Sequence, residues 1–465
     1  MTAKLAAARQ ARREAPGFNR KLIPPMILGS ILNPINSSML AVALIPIGRA
    51  FDAPPSQTIW LVSGLYVATA VGQPVIGRLV DMYGPKLLYL SGTALVGLAG
   101  LLGVLAPTLG VLVLSRVLLG FGTSAAYPAS MYLLRSEQER TGMKSPSGIL
   151  AALSISNQVI SVIGPTLGGL LIGAGGWHLI FAVNVPLSLA CLLLGWLWLP
   201  RRRDLAAQPA KAQGVDLPGM VLFAAMLTSL MLFLVEPRAS DWYLLPVAAA
   251  AGTAFAIREL RAQDPFIDLR ILRGNAPLLA TYARQLLAYT ASYSFLYGFS
   301  QWLQEGRSLS ASTAGLLLLP MSLAAIAVTA ATGRRPQIRG KLVVGAFVQL
   351  AAGAAFLALG GGSPLLLLAL LGVAVGIPQG LIGLANQNAL YAQATPERMG
   401  SSAGLLRTST YLGALVASAA NAAAFQDGAT TAGVHQLGWM LLAVGAVLTA
   451  ATLADRSLGR VGRTA

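Results

Sequence analysis

The chain has 465 residues, of which 55% are hydrophobic and only 11% charged, with a mean hydropathy of +0.67; a soluble domain is about one quarter charged, so a water-soluble globule is excluded. A net charge of +17 would suit a nucleic-acid binder, but the basic residues form no patch and sit between apolar stretches, where they suit anionic lipid headgroups instead. A lone cysteine, Cys191, leaves no disulfide framework and no thiolate metal site, and neither a cofactor nor a metal is expected.

Residues 1–21 are polar and basic, without the apolar core of a signal peptide, and read as a cytoplasmic tail. Fourteen apolar stretches follow, at 22–46, 57–77, 87–106, 110–133, 147–172, 178–199, 217–235, 242–257, 275–303, 312–332, 341–360, 364–390, 401–425 and 436–454. A helix needs about 20 residues at about 1.5 Å each to cross a hydrocarbon core. Of the 33 Lys and Arg, only Arg49, Arg238 and Arg307 fall in one alternate set of gaps, and Arg116, Arg284 and Arg407 fall within spans. The other 27 lie in the opposite set, as positive-inside orientation requires with both termini cytoplasmic. The expected fold class is an all-α polytopic membrane protein of 14 transmembrane helices.

In the first span, Asn33, Asn36 and Ser37 fall on one helical face. Between the second and third, Gly77-Arg78-Leu79-Val80-Asp81-Met82-Tyr83-Gly84-Pro85-Lys86 offers a glycine for close helix approach. In the same turn Asp81 is suited to bind a helix N-terminus or a basic partner, and Lys86 to anchor at the interface. The fourth span holds Arg116-x-x-x-Gly120-x-Gly122-x-Ser124, with Tyr127 beyond. Its glycines mimic a dinucleotide fingerprint, but no strand precedes them, which excludes that chemistry. In the fifth, Ser154, Asn157, Gln158 and Ser161 share a stripe continued by Pro165 and Gly168; such a stripe also serves plain helix packing.

Two longer connections, 201–216 and 258–274, bracket a pair of spans poor in polar residues, expected to flank the rest and stay off any path. The ninth span carries Tyr282, Arg284, Gln285, Tyr289 and Tyr293, and the twelfth Gln379, Asn386 and Gln387. Gly333 to Lys341 repeats the Gly77 loop with Gln337 in place of the carboxylate. Such a repeat marks paired halves with a transport path between them. None of the 16 acids lies in the middle of a span, so the three embedded arginines cannot all be neutralised by buried carboxylates.

The Gly77–Lys86 loop resembles the signature loop of the major facilitator superfamily, G-x-L-x-D-x-x-G-x-K, at every fixed position. The Arg116 motif and Gly164-Pro165-Thr166-Leu167-Gly168-Gly169, similar to the motif of exporters in that superfamily, strengthen the likeness. With a six-two-six layout, the chain resembles the fourteen-helix drug:proton antiporter branch. The resemblance implies pseudo-symmetric six-helix bundles at 22–200 and 275–458, separated by 201–274 with its two inserted helices, and a second short tail at 459–465. It also implies proton-driven export of a small organic molecule by a monomer in the cytoplasmic membrane, with lipid and protons as its other partners and no nucleic acid.

The family's first and fourth helices of each half face the path, which makes Asn33, Asn36, Ser37, Arg116, Tyr127, Arg284, Gln285, Tyr289, Tyr293, Gln379, Asn386 and Gln387 the expected cavity residues. Arg116 is expected at the cavity edge. Gly77, Asp81, Gly84, Lys86, Gly164, Pro165, Gly168 and Gly169 are the expected gating residues. Asn36 or Ser37 stands where the family often carries an acid, which points to a neutral or anionic amphiphile and leaves Glu305 as the coupling carboxylate. An importer or facilitator is the alternative. A membrane-embedded enzyme would need a His, Cys or paired-acid constellation, and none is legible; no catalytic residue is expected.

Overall fold

The computed structural model describes residues 17–142, 146–205, 215–235, 238–309, 311–335, 337–426 and 428–459. Most of both expected tails and the acids Glu14, Glu236 and Asp427 lie outside the described residues. Among the described residues, a helical rod, in places broken into two pieces, occupies each of the expected stretches. In chain order they are α1 (Ile23–Leu40, continued by Leu44–Ala50), α2 (Trp60–Tyr83), α3 (Pro85–Val104), α4 (Leu109–Thr123 with Ala126–Thr141), α5 (Ser147–Gly175) and α6 (His178–Ala182 with Asn184–Trp198). There follow α7 (Leu217–Val235), α8 (Leu244–Arg261), α9 (Ala276–Ser294), α10 (Ala311–Thr332), α11 (Arg339–Phe356), α12 (Leu365–Gln393), α13 (Met399–Ala424) and α14 (Thr431–Ala454).

Among the described residues, eleven helices are long and apolar enough to cross a membrane, and the bent α1 pair makes twelve. α9 and α13 are helical but too polar for that count, because Thr281, Arg284 and Gln285 interrupt one and Ser401, Ser402 and Arg407 to Thr410 the other. Both bury nearly all of these groups against neighbours, Arg407 being partly buried, so they need little lipid-facing apolar surface there. α1 occupies the stretch expected over 22–46 but bends by 63° between its two pieces. Pro46 cannot donate a backbone bond to residue 42 and its ring crowds that carbonyl, so the helix breaks in the preceding turn. α9 runs on through two π-helical turns, Phe295–Phe299 and Trp302–Gly306.

The packing repeats with a shift of eight helices. α1 packs on α5, α2 on α4 and α3 on α6; likewise α9 packs on α13, α10 on α12 and α11 on α14. The two sets meet where α2 lies along α13 and α5 along α10. Glycines permit both kinds of joint: a side chain at Gly164 or Gly168 would strike Ser38 or Met39 of α1, and one at Gly77 would strike the Gly400 backbone. Gly169 faces open space. α7 covers the α2–α13 joint from outside, burying Met220, Phe223, Leu227 and Met231 with Ala70, Val71, Tyr411 and Leu415. α8 lies on α7 and exposes most of its surface. One end of the assembly, the basic face, gathers Arg140, Arg201 to Arg203, Arg258 and Arg398.

Candidate functional site

α1, α4, α5, α9 and α13 converge on Arg407, which lies about 12 Å along α13 from its first residue. Its guanidinium sits 4.1 Å over the Tyr127 ring. The Asn157 amide, in the orientation its neighbours select, accepts from Arg407 Nη2 (3.1 Å) and donates to the Ser30 carbonyl (3.0 Å). Tyr289, Tyr293 and Tyr411 complete a phenolic surround, and Tyr66 stands 5.7 Å from Tyr411 ring to ring. Among the described residues no carboxylate lies within ion-pair distance of Arg407. A guanidinium faced by rings and an amide is a site for a planar or anionic group, because one fork remains for a carboxylate-like partner.

Around this centre run neutral hydrogen bonds. Asn33 donates to Thr69 (3.2 Å) and Thr123 (3.1 Å) and accepts from the Tyr411 hydroxyl (3.1 Å). Gln285 donates to Thr410 (3.0 Å) and accepts from Asn386 (3.0 Å). Gln379 lines a small cleft with Tyr289, Ser292 and Gln349. Ser37 Oγ, the Tyr127 hydroxyl, Asn386 Oδ1 and Gln387 Oε1 are buried without partners. Buried polar atoms of that kind are rare in native folds and mark positions that a ligand or water fills.

Three expected cavity residues lie elsewhere. Arg116, expected at the cavity edge, is fully buried inside the first six helices; its Nε donates to Leu61 O (3.0 Å) and its Nη2 to Asn36 O (3.4 Å). Asn36 is locked in a reciprocal amide pair with Asn184 of α6 (2.6 and 2.9 Å). Arg284 is fully buried and does meet a carboxylate: its Nη1 lies 2.7 Å from Asp455 Oδ2, just past α14, and its Nη2 donates to Thr281 (2.8 Å). The sequence separation hid that partner. Arg407 was legible only as an embedded charge, and Asn157 only as part of a stripe; their meeting needs α13 and α5 side by side.

The Arg284–Asp455 pair ties α9 to the chain end. Burial works to raise the Asp455 carboxyl, but hydrogen bonds from Ser457 and Arg284 outweigh it and hold the group below its ordinary value. The pair therefore contributes stability above the ordinary carboxylate range and loses it as pH falls below that range. Replacing Arg284 with Leu leaves Asp455 unpaired and lowers stability by about 3–5 kcal/mol, read as a drop in melting temperature in detergent at neutral pH. The loss shrinks in acid. An equal loss at both pH values would contradict this account.

The basic face is closed. Asp81 of α2, fully buried, accepts from the backbone N–H of Gly400 (2.7 Å) and of Ser401 (2.8 Å) and from the Ser401 hydroxyl (2.8 Å). A carboxylate on the first turn of α13 is favoured by the free N–H groups and the positive helix end. Gly84 adopts a left-handed φ of 91°, which turns the chain from α2 into α3. Lys86 donates to Trp196 O (2.7 Å) and Leu199 O (2.8 Å). Thr408 donates to Ala70 O (2.7 Å) and Gln158 to Thr329 (3.3 Å), extending the closed seam inward. Pro165 kinks no partner into the Arg407 site; it sits within α5 between the two glycines packed on α1. Glu305 is exposed at the opposite end, held by Gln301 (3.2 Å) and remote from Arg407.

A family model of the Major Facilitator Superfamily matches residues 26–418. An uncharacterized MFS-type transporter of Bacillus subtilis, YwoD, is 34% identical over 434 residues, covering 90% of this chain and 92% of its own. The lincomycin resistance protein of Streptomyces lincolnensis is 30% identical over 330 residues, covering 69% of this chain and 66% of its own. The crystal structure of the human organic anion transporter MFSD10 overlays with a TM-score of 0.67 at 18% identity, covering 92% of this chain and 99% of that one, a likeness of fold.

Proposed function

The chain belongs to the major facilitator superfamily, and from that premise we propose that it is a secondary exporter. It carries a small organic anion, or a neutral amphiphile of similar shape, out of the cytoplasm by alternating access. As a multi-pass membrane transporter it is not an enzyme. The observation that carries the substrate reading is Arg407: a guanidinium held by Tyr127 and Asn157 where the two helix sets meet, with no carboxylate beside it among the described residues. A lipophilic cation would meet repulsion there and find no counter-charge.

Relatives named for lincomycin resistance and multidrug resistance support the outward direction. The positive-inside distribution supports a cytoplasmic basic face in the cell membrane, with both termini on that side. Residues 22–200 and 275–458 act as the two moving halves of a monomer. Glu305, at the outer mouth, is the carboxylate assigned to proton coupling.

The test is counterflow in proteoliposomes with and without an imposed pH gradient, using an aromatic carboxylate and a cationic dye of similar size. The anion exchanges faster, the gradient accelerates it, and Glu305→Gln removes the acceleration while sparing exchange. Preference for the cation would overturn the substrate reading; full gradient-driven transport by Glu305→Gln would overturn the coupling assignment.

A further inference from the structure

The inserted helices carry a feature that substrate recognition does not use. Asp216, at the start of α7, accepts from Gly219 N (3.0 Å), from Arg258 Nε (2.9 Å) and Nη2 (2.7 Å) of α8, and from Phe266 N (3.3 Å). Glu259 of α8, with 0% exposure, accepts from Ile267 N (2.9 Å), and its Oε1 has no partner. That orphaned oxygen and Asp216 Oδ2 crowd the same space over Gly219, which any side chain there would fill. Burial works to raise the Asp216 carboxyl, but hydrogen bonds from Gly219, Arg258 and Phe266 outweigh it and hold Asp216 ionised below its ordinary value. Two buried carboxyls facing one space repel each other when both are charged, and the unpartnered Glu259 Oε1 is the open position for a proton between them.

The backbone that both carboxyls grip is a strap, residues 262–268, running from α8 toward α9 on the basic face. Phe266 and Ile267 are buried from it against α7 and the α2–α13 joint. Asp268 Oδ2 lies 3.7 Å from Arg398 Nη2, and Arg398 immediately precedes the α13 turn that Asp81 caps. From α2, the buried Arg78 faces Glu259, Asp264 and Asp81, with Arg398 alongside. Arg78 and Arg258 are therefore the positive groups that face the two carboxyls.

We propose that Asp216 and Glu259 form a proton-binding clasp, and that release of its one proton to water at the basic face frees the strap and unlocks the Asp81 gate. Release leaves two facing carboxylates with Arg258 as their immediate counter-charge. Their repulsion weakens the grip on Phe266 and Ile267, and with it the tie from Asp268 to α13. A cleft of about 40 Å³ lies beside the strap, lined by Phe266, Asp268, Tyr282, Arg398 and Ser402.

The test uses the full chain with Cys191→Ser and spin labels on Leu87→Cys and Arg334→Cys, exposed positions on the two helix sets near the basic face. Label separation is measured by electron-electron resonance in lipid nanodiscs from mildly acidic to mildly alkaline pH, without substrate, so the result stands apart from the exporter reading. The parent pair lengthens as pH rises. Glu259→Gln, which keeps the shape but has no proton to release, stays short at every pH; Glu259→Ala, which drops the strap, stays long. A Glu259→Gln protein that lengthens like its parent, or a parent that does not respond, overturns the proposal.

Discussion

With Arg407 replaced by Gln, binding of an aromatic carboxylate weakens about 10- to 100-fold, the roughly 1.5–3 kcal/mol carried by hydrogen bonds to a charged group. The fold survives, because Arg407 is bound by a ring and an amide and not by a buried acid that would be stranded by its loss. Arg407→Lys falls between the two: it keeps the charge but loses the flat stacking surface and the fork that can hold Asn157 and a ligand together. Tyr127→Phe is close to neutral, since the attraction comes from the ring face. The measurement is a titration of purified protein by fluorescence or calorimetry, at matched ionic strength. If the Gln variant binds the anion as tightly as its parent, Arg407 is not the anchor.

The second large effect is at Asp81. Changing it to Asn leaves three donors, Gly400 N, Ser401 N and the Ser401 hydroxyl, facing one acceptor and an amide N–H₂. Losing hydrogen bonds of roughly 1.5–3 kcal/mol each to a buried charge raises the open-to-closed ratio at the basic face by about 100-fold. A cysteine at Ser402, almost fully buried beside this contact, reports it in the Cys191→Ser background. A thiol reagent supplied from the basic face then reacts about 100-fold faster in Asp81→Asn, if opening limits the reaction. Gly77→Val raises the rate by a different route, because its side chain meets the Gly400 backbone. Unchanged reactivity in both variants would mean that these contacts do not hold the gate.

Hydropathy and charge made the helices legible because a bilayer imposes one length and one charge bias on every crossing. The departures have local causes. α4 extends beyond the expected 133 to Thr141 because its last turns are charged but paired, Arg135 with Glu139 and Arg140 with Glu137, so the helix outlasts its apolar stretch. The turn after Leu40 was invisible to hydropathy, since Ala41, Val42 and Ala43 are apolar and the break is backbone geometry before Pro46. The Asp81 latch was half legible: the carboxylate and glycines stand in one short motif, whereas its partners Gly400 and Ser401 lie more than 300 residues away. Polar side chains at membrane depth were legible as positions in the sequence. Which of them face each other and which face the path was not, because amides such as Asn36 and Asn184 satisfy one another across 148 positions.

α13 carries both the turn that Asp81 grips and the guanidinium that Tyr127 and Asn157 surround, six residues further on. At about 1.5 Å per residue these points are roughly 9 Å apart on one stiff lever. A lever that short cannot move at one point and stay still at the other. Cargo that draws Arg407 away from Tyr127 therefore tugs on the gate's own hinge pin, and loading and unlocking become two readings of a single displacement.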